Sequence, residues 1–127
     1  MHQIVIVDDS TTTASILRSL SSKLDGVNSV AFTDAVEALD YLRENSANLV
    51  IVDYSMPSIT GIEIAKRLRR SMRHLDTPII MLTASKEPTV RTRALEVGVT
   101  AFLNKPVRPQ EFKSCVLKHM PVSESAA

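Results

Sequence analysis

The sequence predicts an α/β domain: a doubly wound, five-stranded parallel sheet with five helices. Three observations lead there. Five short apolar runs rich in β-branched residues recur at residues 4–7, 30–32, 49–52, 79–82 and 101–103. They lack the polar–apolar alternation of a half-solvated strand, so they read as strands buried on both faces. Segments with apolar residues at helical spacing separate them, and each strand–helix–strand step takes roughly 30 residues or fewer, the length of a parallel βαβ unit.

Each element has its own signals. Ile4-Val5-Ile6-Val7 is the first strand, and Asp8-Asp9-Ser10-Thr11 after it offers side-chain oxygens to cap a helix. Ala14, Leu17, Leu20 and Leu24 recur on one face of that helix. Asp25-Gly26-Val27-Asn28 is a turn, and Val30-Ala31-Phe32 is a shorter strand suited to a sheet edge. Asp34 with Glu37 three residues later is a capping-box variant, ahead of Val36, Leu39 and Leu42. Leu49-Val50-Ile51-Val52 runs into Asp53 and then a Pro57- and Gly61-containing loop.

Thr60 and Glu63 repeat the capping spacing, and Ile62, Ala65 and Leu68 face one way. Arg67, Arg69 and Arg70 complement the negative end of that helix and read as a solvated face. Pro78 stands at the mouth of the fourth strand, which ends at Thr83. Pro88 suits a first helical turn, Val90, Ala94 and Val97 follow, and Gly98 stops the helix. Ala101-Phe102-Leu103 is the fifth strand, ending at Asn104-Lys105-Pro106. Pro109 opens a last helix carrying Phe112, Val116 and Met120. Residues 1–120 form one domain, and residues 121–127 read as a flexible tail or the start of a linker.

Composition narrows the class. A chain of 127 residues is one domain by size and buries roughly two-thirds of its unfolded surface, enough for a core without staples. A net charge of +1 gives no electrostatic footprint for nucleic acid or an anionic membrane. One cysteine, Cys115, allows no disulfide framework and suits a reducing cytosol; beside Val116 and Leu117 it reads as a core thiol. Met1-His2-Gln3 has no basic region of a secretion signal, and no run approaches the ~18 apolar residues of a membrane helix. His2, His74 and His119 share no ligand spacing and read as surface residues.

The chemistry is carried by what ends each strand. A carboxylate is too costly inside a buried strand, so Asp53 belongs at its C-terminal lip, where open α/β sheets hold ligands. Parallel strands share that edge. Asp8 and Asp9 end the first strand, Thr83 the fourth and Lys105 the fifth. Two carboxylates about 4 Å apart repel by roughly 4 kcal/mol at an effective dielectric of 20, so three together ask for a divalent cation. An all-oxygen ligand set selects a hard ion, Mg²⁺ or Mn²⁺. Lys105 and the Thr83 hydroxyl supply a clamp for an anion held there. Metal, clamp and carboxylate are the parts for phosphoryl transfer onto an aspartate.

Asp8-Asp9 after IVIV, Asp53 in VDYSMPSITG, Thr83-Ala84 in IIMLTAS and Lys105-Pro106 in FLNKP together make the chain, over roughly residues 3–119, resemble a response-regulator receiver domain of two-component signalling. The resemblance implies a flavodoxin-like fold with strand order 2-1-3-4-5. It implies that Asp53 accepts a phosphoryl group from the phosphohistidine of a sensor histidine kinase or phosphotransfer protein. Asp9 would bind Mg²⁺ directly, Asp8 through water, and Asp53 and the backbone carbonyl of Ser55 would complete the protein's share. A cis Lys105-Pro106 bond is implied too. So is a switch in which Thr83 moves inward, Phe102 follows, and the face of the fourth helix, fifth strand and fifth helix changes, with Arg91, Arg93, Arg108 and Lys113 on it. That face is also a candidate homodimer surface.

On this reading the protein is a cytoplasmic signalling domain rather than an enzyme, with self-catalysed phosphotransfer and slow self-dephosphorylation only, and it binds no nucleic acid itself. Kinase choice would lie near Thr12, Ser15 and Arg18, and the small residues Ser55 and Ser85 flank the site. The chain would be either a stand-alone regulator or the front of a longer protein. Two rivals use the same sheet. Aspartyl phosphatases carry a D-x-D pattern after the first strand and a cap domain, and this sequence has neither. A phosphorylation-independent interaction module would not need all five side chains.

Overall fold

In the computed structural model, residues 2–84 and 86–120 are described. The expectations for Ser85 and for residues 121–127 lie outside them. The elements alternate as β1 (His2–Val7), α1 (Thr11–Ser22), β2 (Val27–Phe32), α2 (Ala35–Glu44), β3 (Leu49–Asp53), α3 (Gly61–Arg69), β4 (Ile79–Thr83), α4 (Pro88–Glu96), β5 (Ala101–Asn104) and α5 (Pro109–His119). A 3₁₀ turn at Met72–His74 follows α3. The five strands form one sheet in the order β2-β1-β3-β4-β5, all parallel. This is the five-stranded parallel sheet that the sequence pattern predicts, in the flavodoxin-like order that the resemblance implies.

Why the strands lack alternation is visible in the core. Val5, Val7, Val50, Val52, Ile79 and Met81 pack one way, against α2, α3 and Ala94 of α4. Ile4, Ile6, Leu49, Ile51, Ile80, Leu82 and Leu103 pack the other way, against Leu17 of α1 and Phe112 and Val116 of α5. Successive strand residues point to opposite faces, so a sheet covered on both must be apolar throughout. β2, at one edge, is mostly half-buried.

The caps follow the sequence. Ser10 accepts from the Thr13 amide, Asp34 from Val36 and Thr60 from Glu63. Pro88 and Pro109 open their helices, and Gly98 sits at φ +103°, where a side chain would be strained. β2 begins at Val27, three residues earlier than predicted, because the chain turns at Gly26, whose carbonyl accepts from the His2 amide.

Two surface assignments need correction. His74 is 1% exposed. Its Nε2 donates to the Leu42 carbonyl at 2.7 Å, and its Nδ1 lies 3.3 Å from the Thr77 hydroxyl. The ring thereby satisfies a carbonyl that the last turn of α2 leaves without an intrahelical partner. Arg69, expected on a solvated face, is half-buried. Its guanidinium donates to the carbonyls of His74, Thr77 and Gly98 at 2.7–3.1 Å. Its planar fork reaches several acceptors at once, which a helix-dipole argument does not consider. Arg67 and Arg70 are exposed as predicted. His2 and His119 are partly exposed, and Cys115 is half-buried with its thiol pushed up by burial.

Candidate functional site

Sheet register builds the site. Val7 pairs with Val52, so Asp8 and Asp53, the next residue of each strand, leave the sheet side by side. Asp53 pairs with Leu82 and Thr83 with Asn104, which brings Thr83 and then Lys105 to the same edge. The amide of Lys105 donates to the Thr83 carbonyl at 3.1 Å, fixing the exit of β5.

The side chains meet. Lys105 Nζ lies 3.1 Å from Asp53 Oδ2 and 3.4 Å from Asp8 Oδ2. Carboxylate oxygens of Asp8, Asp9 and Asp53 all lie within 4.8 Å of one another. Asp8 is 0%, Asp53 4% and Thr83 2% exposed, whereas Asp9 and Ser55 are open to solvent. The Ser10 amide donates to Asp8 Oδ1, and the Ser55 amide to Asp53 Oδ1 at 3.4 Å. The Lys105–Pro106 peptide is cis. Phe102 is half-buried on the face that carries α4.

The electrostatics are unbalanced. Three carboxylates cluster together, and one ammonium pairs with two of them, Asp8 and Asp53. Burial raises the Asp53 carboxyl above its ordinary range; Lys105 opposes this and Asp8 adds to it. Burial works to lower the Lys105 ammonium, but Asp53 and Asp8 outweigh it and hold the group above its usual value. Asp8 Oδ2 is fully buried and makes no hydrogen bond; the ion pair with Lys105 is its polar contact. A buried acceptor without a hydrogen bond, beside two more carboxylates, fits a hard divalent cation.

One site residue carries more than the sequence disclosed. A Cβ on Gly61 would lie 2.5 Å from the Asp53 carbonyl oxygen. Its amide donates to the Tyr54 carbonyl at 3.0 Å. The start of α3 is thus pressed against the backbone of Asp53, and only glycine allows that approach. The signal was present: a glycine as the first residue of a helix, directly after a capping Thr60. A groove of about 470 Å³ lies between β5 and α5, lined by Phe102, Asn104, Cys115 and Lys118 among others, and contains none of the carboxylates.

Comparison with known proteins agrees with this geometry. The family model described as response regulator receiver domain matches residues 4–117. The chemotaxis protein CheY homolog of Campylobacter jejuni is 32% identical over 112 residues, which are 87% of this chain and 86% of that protein. The cyclic di-GMP phosphodiesterase response regulator RpfG of Xanthomonas campestris is 39% identical over 112 residues; the match spans 87% of this chain but 30% of that protein. Among solved structures, the chemotaxis response regulator CheY4 of Vibrio cholerae superposes with a TM-score of 0.88 at 28% identity, covering 94% of this chain and 98% of that one. The receiver domain of the Pseudomonas aeruginosa sensor histidine kinase PA1611 shares the fold, with a TM-score of 0.85 at 20% identity over 95% and 98% of the two chains. That structure has a magnesium ion coordinated in its active site cleft.

Proposed function

The chain belongs to the response regulator receiver domain family of two-component signalling, and on that premise we propose that Asp53 is its phosphoacceptor. An Asp53 carboxylate oxygen attacks the phosphorus of a kinase's or phosphotransfer protein's phosphohistidine. The P–N bond breaks, the imidazole leaves as the neutral base after taking up a proton, and an acyl phosphate remains on Asp53. The observation that carries this reading is the 3.1 Å contact between Lys105 Nζ and Asp53 Oδ2, made beside the carboxylates of Asp8 and Asp9.

Each residue has a role in that step. Asp8, Asp9, Asp53 and the Ser55 carbonyl hold Mg²⁺, with Mn²⁺ as a substitute. When bound, the cation neutralises charge that builds on the phosphoryl oxygens. Lys105 turns its ammonium from the Asp53 carboxylate to a phosphoryl oxygen, and the Thr83 hydroxyl donates to another. Both donate where charge develops. The Asp53 carboxylate is itself the nucleophile, so the step needs no general base.

The same events supply the output. Thr83 moves toward the phosphoryl group, Phe102 follows, and the α4–β5–α5 face changes its partner or dimer preference, a local charge event biasing a two-state element. The receiver unit occupies residues 1–120, and the domain acts in the cytoplasm as a signalling device rather than a turnover enzyme. Among the described residues no helix is long and apolar enough to cross a membrane.

Incubation with Mg²⁺ and a small acyl phosphate tests the proposal. Mass spectrometry should show an adduct of about 80 Da on Asp53. It should vanish with chelator or in Asp53→Asn. Rapid turnover of many phosphate esters would point instead to a phosphatase, and an unmodified chain to a bare interaction module.

A further inference from the structure

Arg91 makes two contacts that the acidic site does not require. Its guanidinium carbon lies 4.8 Å from the centroid of the Phe102 ring. Its Nη2 donates to Asn104 Oδ1 at 2.9 Å. Phe102 and Asn104 are two residues apart on β5 and so present the same face. Phe102 stands opposite Met81 in the sheet and Asn104 opposite Thr83. One side chain from α4 therefore clasps two consecutive same-face positions of β5, the second of them adjoining Lys105.

We propose that Arg91 is a positioning residue: a latch that holds the Phe102 ring in its present half-buried place and fastens the end of β5 to α4. The inference deepens the reading above and rests on Phe102 being the element that moves. Physically, the ring's face attracts the cation, and the planar guanidinium can lie over it while its edge bonds Asn104. If the ring moves inward toward Thr83, the cation loses its aromatic partner and keeps only the Asn104 bond. Arg91 thus has a different affinity for the two ring positions, which is the condition for biasing an equilibrium between them. A cation–π contact of this exposure corresponds to a bias of about three- to fivefold in ring population.

The latch also explains why a phenylalanine suffices here. It has no hydroxyl with which to mark one of its positions by a hydrogen bond, so the distinction between them must come from what covers the ring. Arg91 supplies that cover. Arg93, exposed on the same helix, makes no such contact and serves as the control.

The chain contains three phenylalanines, so labelling with 4-fluorophenylalanine gives three ¹⁹F signals, and Phe102→Leu assigns the relevant one. The H₂O/D₂O solvent isotope shift of that signal reads ring exposure. In Arg91→Ala the shift should fall, because the freed ring populates its inward place about three- to fivefold more. Arg91→Lys should lie between, and Arg93→Ala should match the parent. A rise in the shift would mean that the ring stayed in place and was merely uncovered, and would overturn the latch. An unchanged shift, or an equal fall in Arg93→Ala, would also overturn it. Mass labelling of Asp53 is read separately: a chain that takes no phosphoryl group yet shows the fall keeps the latch and loses the phosphoacceptor, and a labelled chain without the fall loses the latch alone.

Discussion

The guanidinium of Arg69, at the end of α3, lies 2.8 Å from the carbonyl of Gly98, just past the end of α4. The same group reaches the carbonyls of His74 and Thr77, so one cation closes three backbone acceptors at the N-terminal side of the sheet.

Replacing Arg69 by Met should therefore destabilise the fold by about 2–4 kcal/mol, since partly buried carbonyls lose their donor. Arg69→Lys should recover less than half, because one ammonium cannot span the three acceptors. The urea midpoint at constant slope measures both. A loss under about 0.5 kcal/mol would mean that water replaces the guanidinium without penalty.

Gly61→Ala should cost about 1–3 kcal/mol and slow acyl phosphate labelling of Asp53 together. The added methyl lands 2.5 Å from the Asp53 carbonyl oxygen, so the backbone that carries the acceptor must move. A destabilised variant that labels at the parent rate would show that the displacement stops short of the carboxylate.

Asp53→Asn should make the metal-free protein more stable at pH 7, with a higher melting temperature. Folding raises the Asp53 pKa, chiefly by burial. The protonated form is thus favoured in the fold, and that stability is present below the unfolded value of 3.8 and lost as pH rises through the folded value. Thermal melts of both proteins across that window should diverge above it and converge below it. A difference that stays constant with pH would assign the effect to packing.

Millimolar Mg²⁺ should raise the stability of the parent, by about 1.4 kcal/mol at ten times its dissociation constant. It should do so far less in Asp53→Asn or Asp8→Asn, so the advantage of Asp53→Asn shrinks as the cation is added. Equal stabilisation of all three proteins would place the ion elsewhere.

The site was legible because its parts are strand ends, and strand ends are set by local pattern. Asp8, Asp53, Thr83 and Lys105 each close an apolar run, and parallel topology alone carries them to one edge. The stitching was not legible. His74 meets Leu42 across 32 residues and Arg69 meets Gly98 across 29. Neither contact has periodicity, and each depends on where loops come to rest after the helices pack. An arginine in a run of three and a lone histidine look like surface chemistry until the carbonyls they serve are located. Arg91 was counted on the right face, but its grip on Phe102 needed coordinates.

Helix α4 is held unevenly. Just past its last turn, the Gly98 carbonyl is fastened to Arg69, while its first turn, which has no side-chain cap hydrogen bond, is tied to β5 through Arg91, a tie that slackens when the Phe102 ring moves. Like a gate, it swings most easily about its hinge post, so any displacement should be smallest at Gly98 and widen toward Pro88. Distances measured from α3 by paired spin labels would trace that arc, with residues near Thr89 sweeping furthest. The fastening at the hinge is then what turns a small pull beside Asp53 into a large excursion at the end that the Arg91 latch releases.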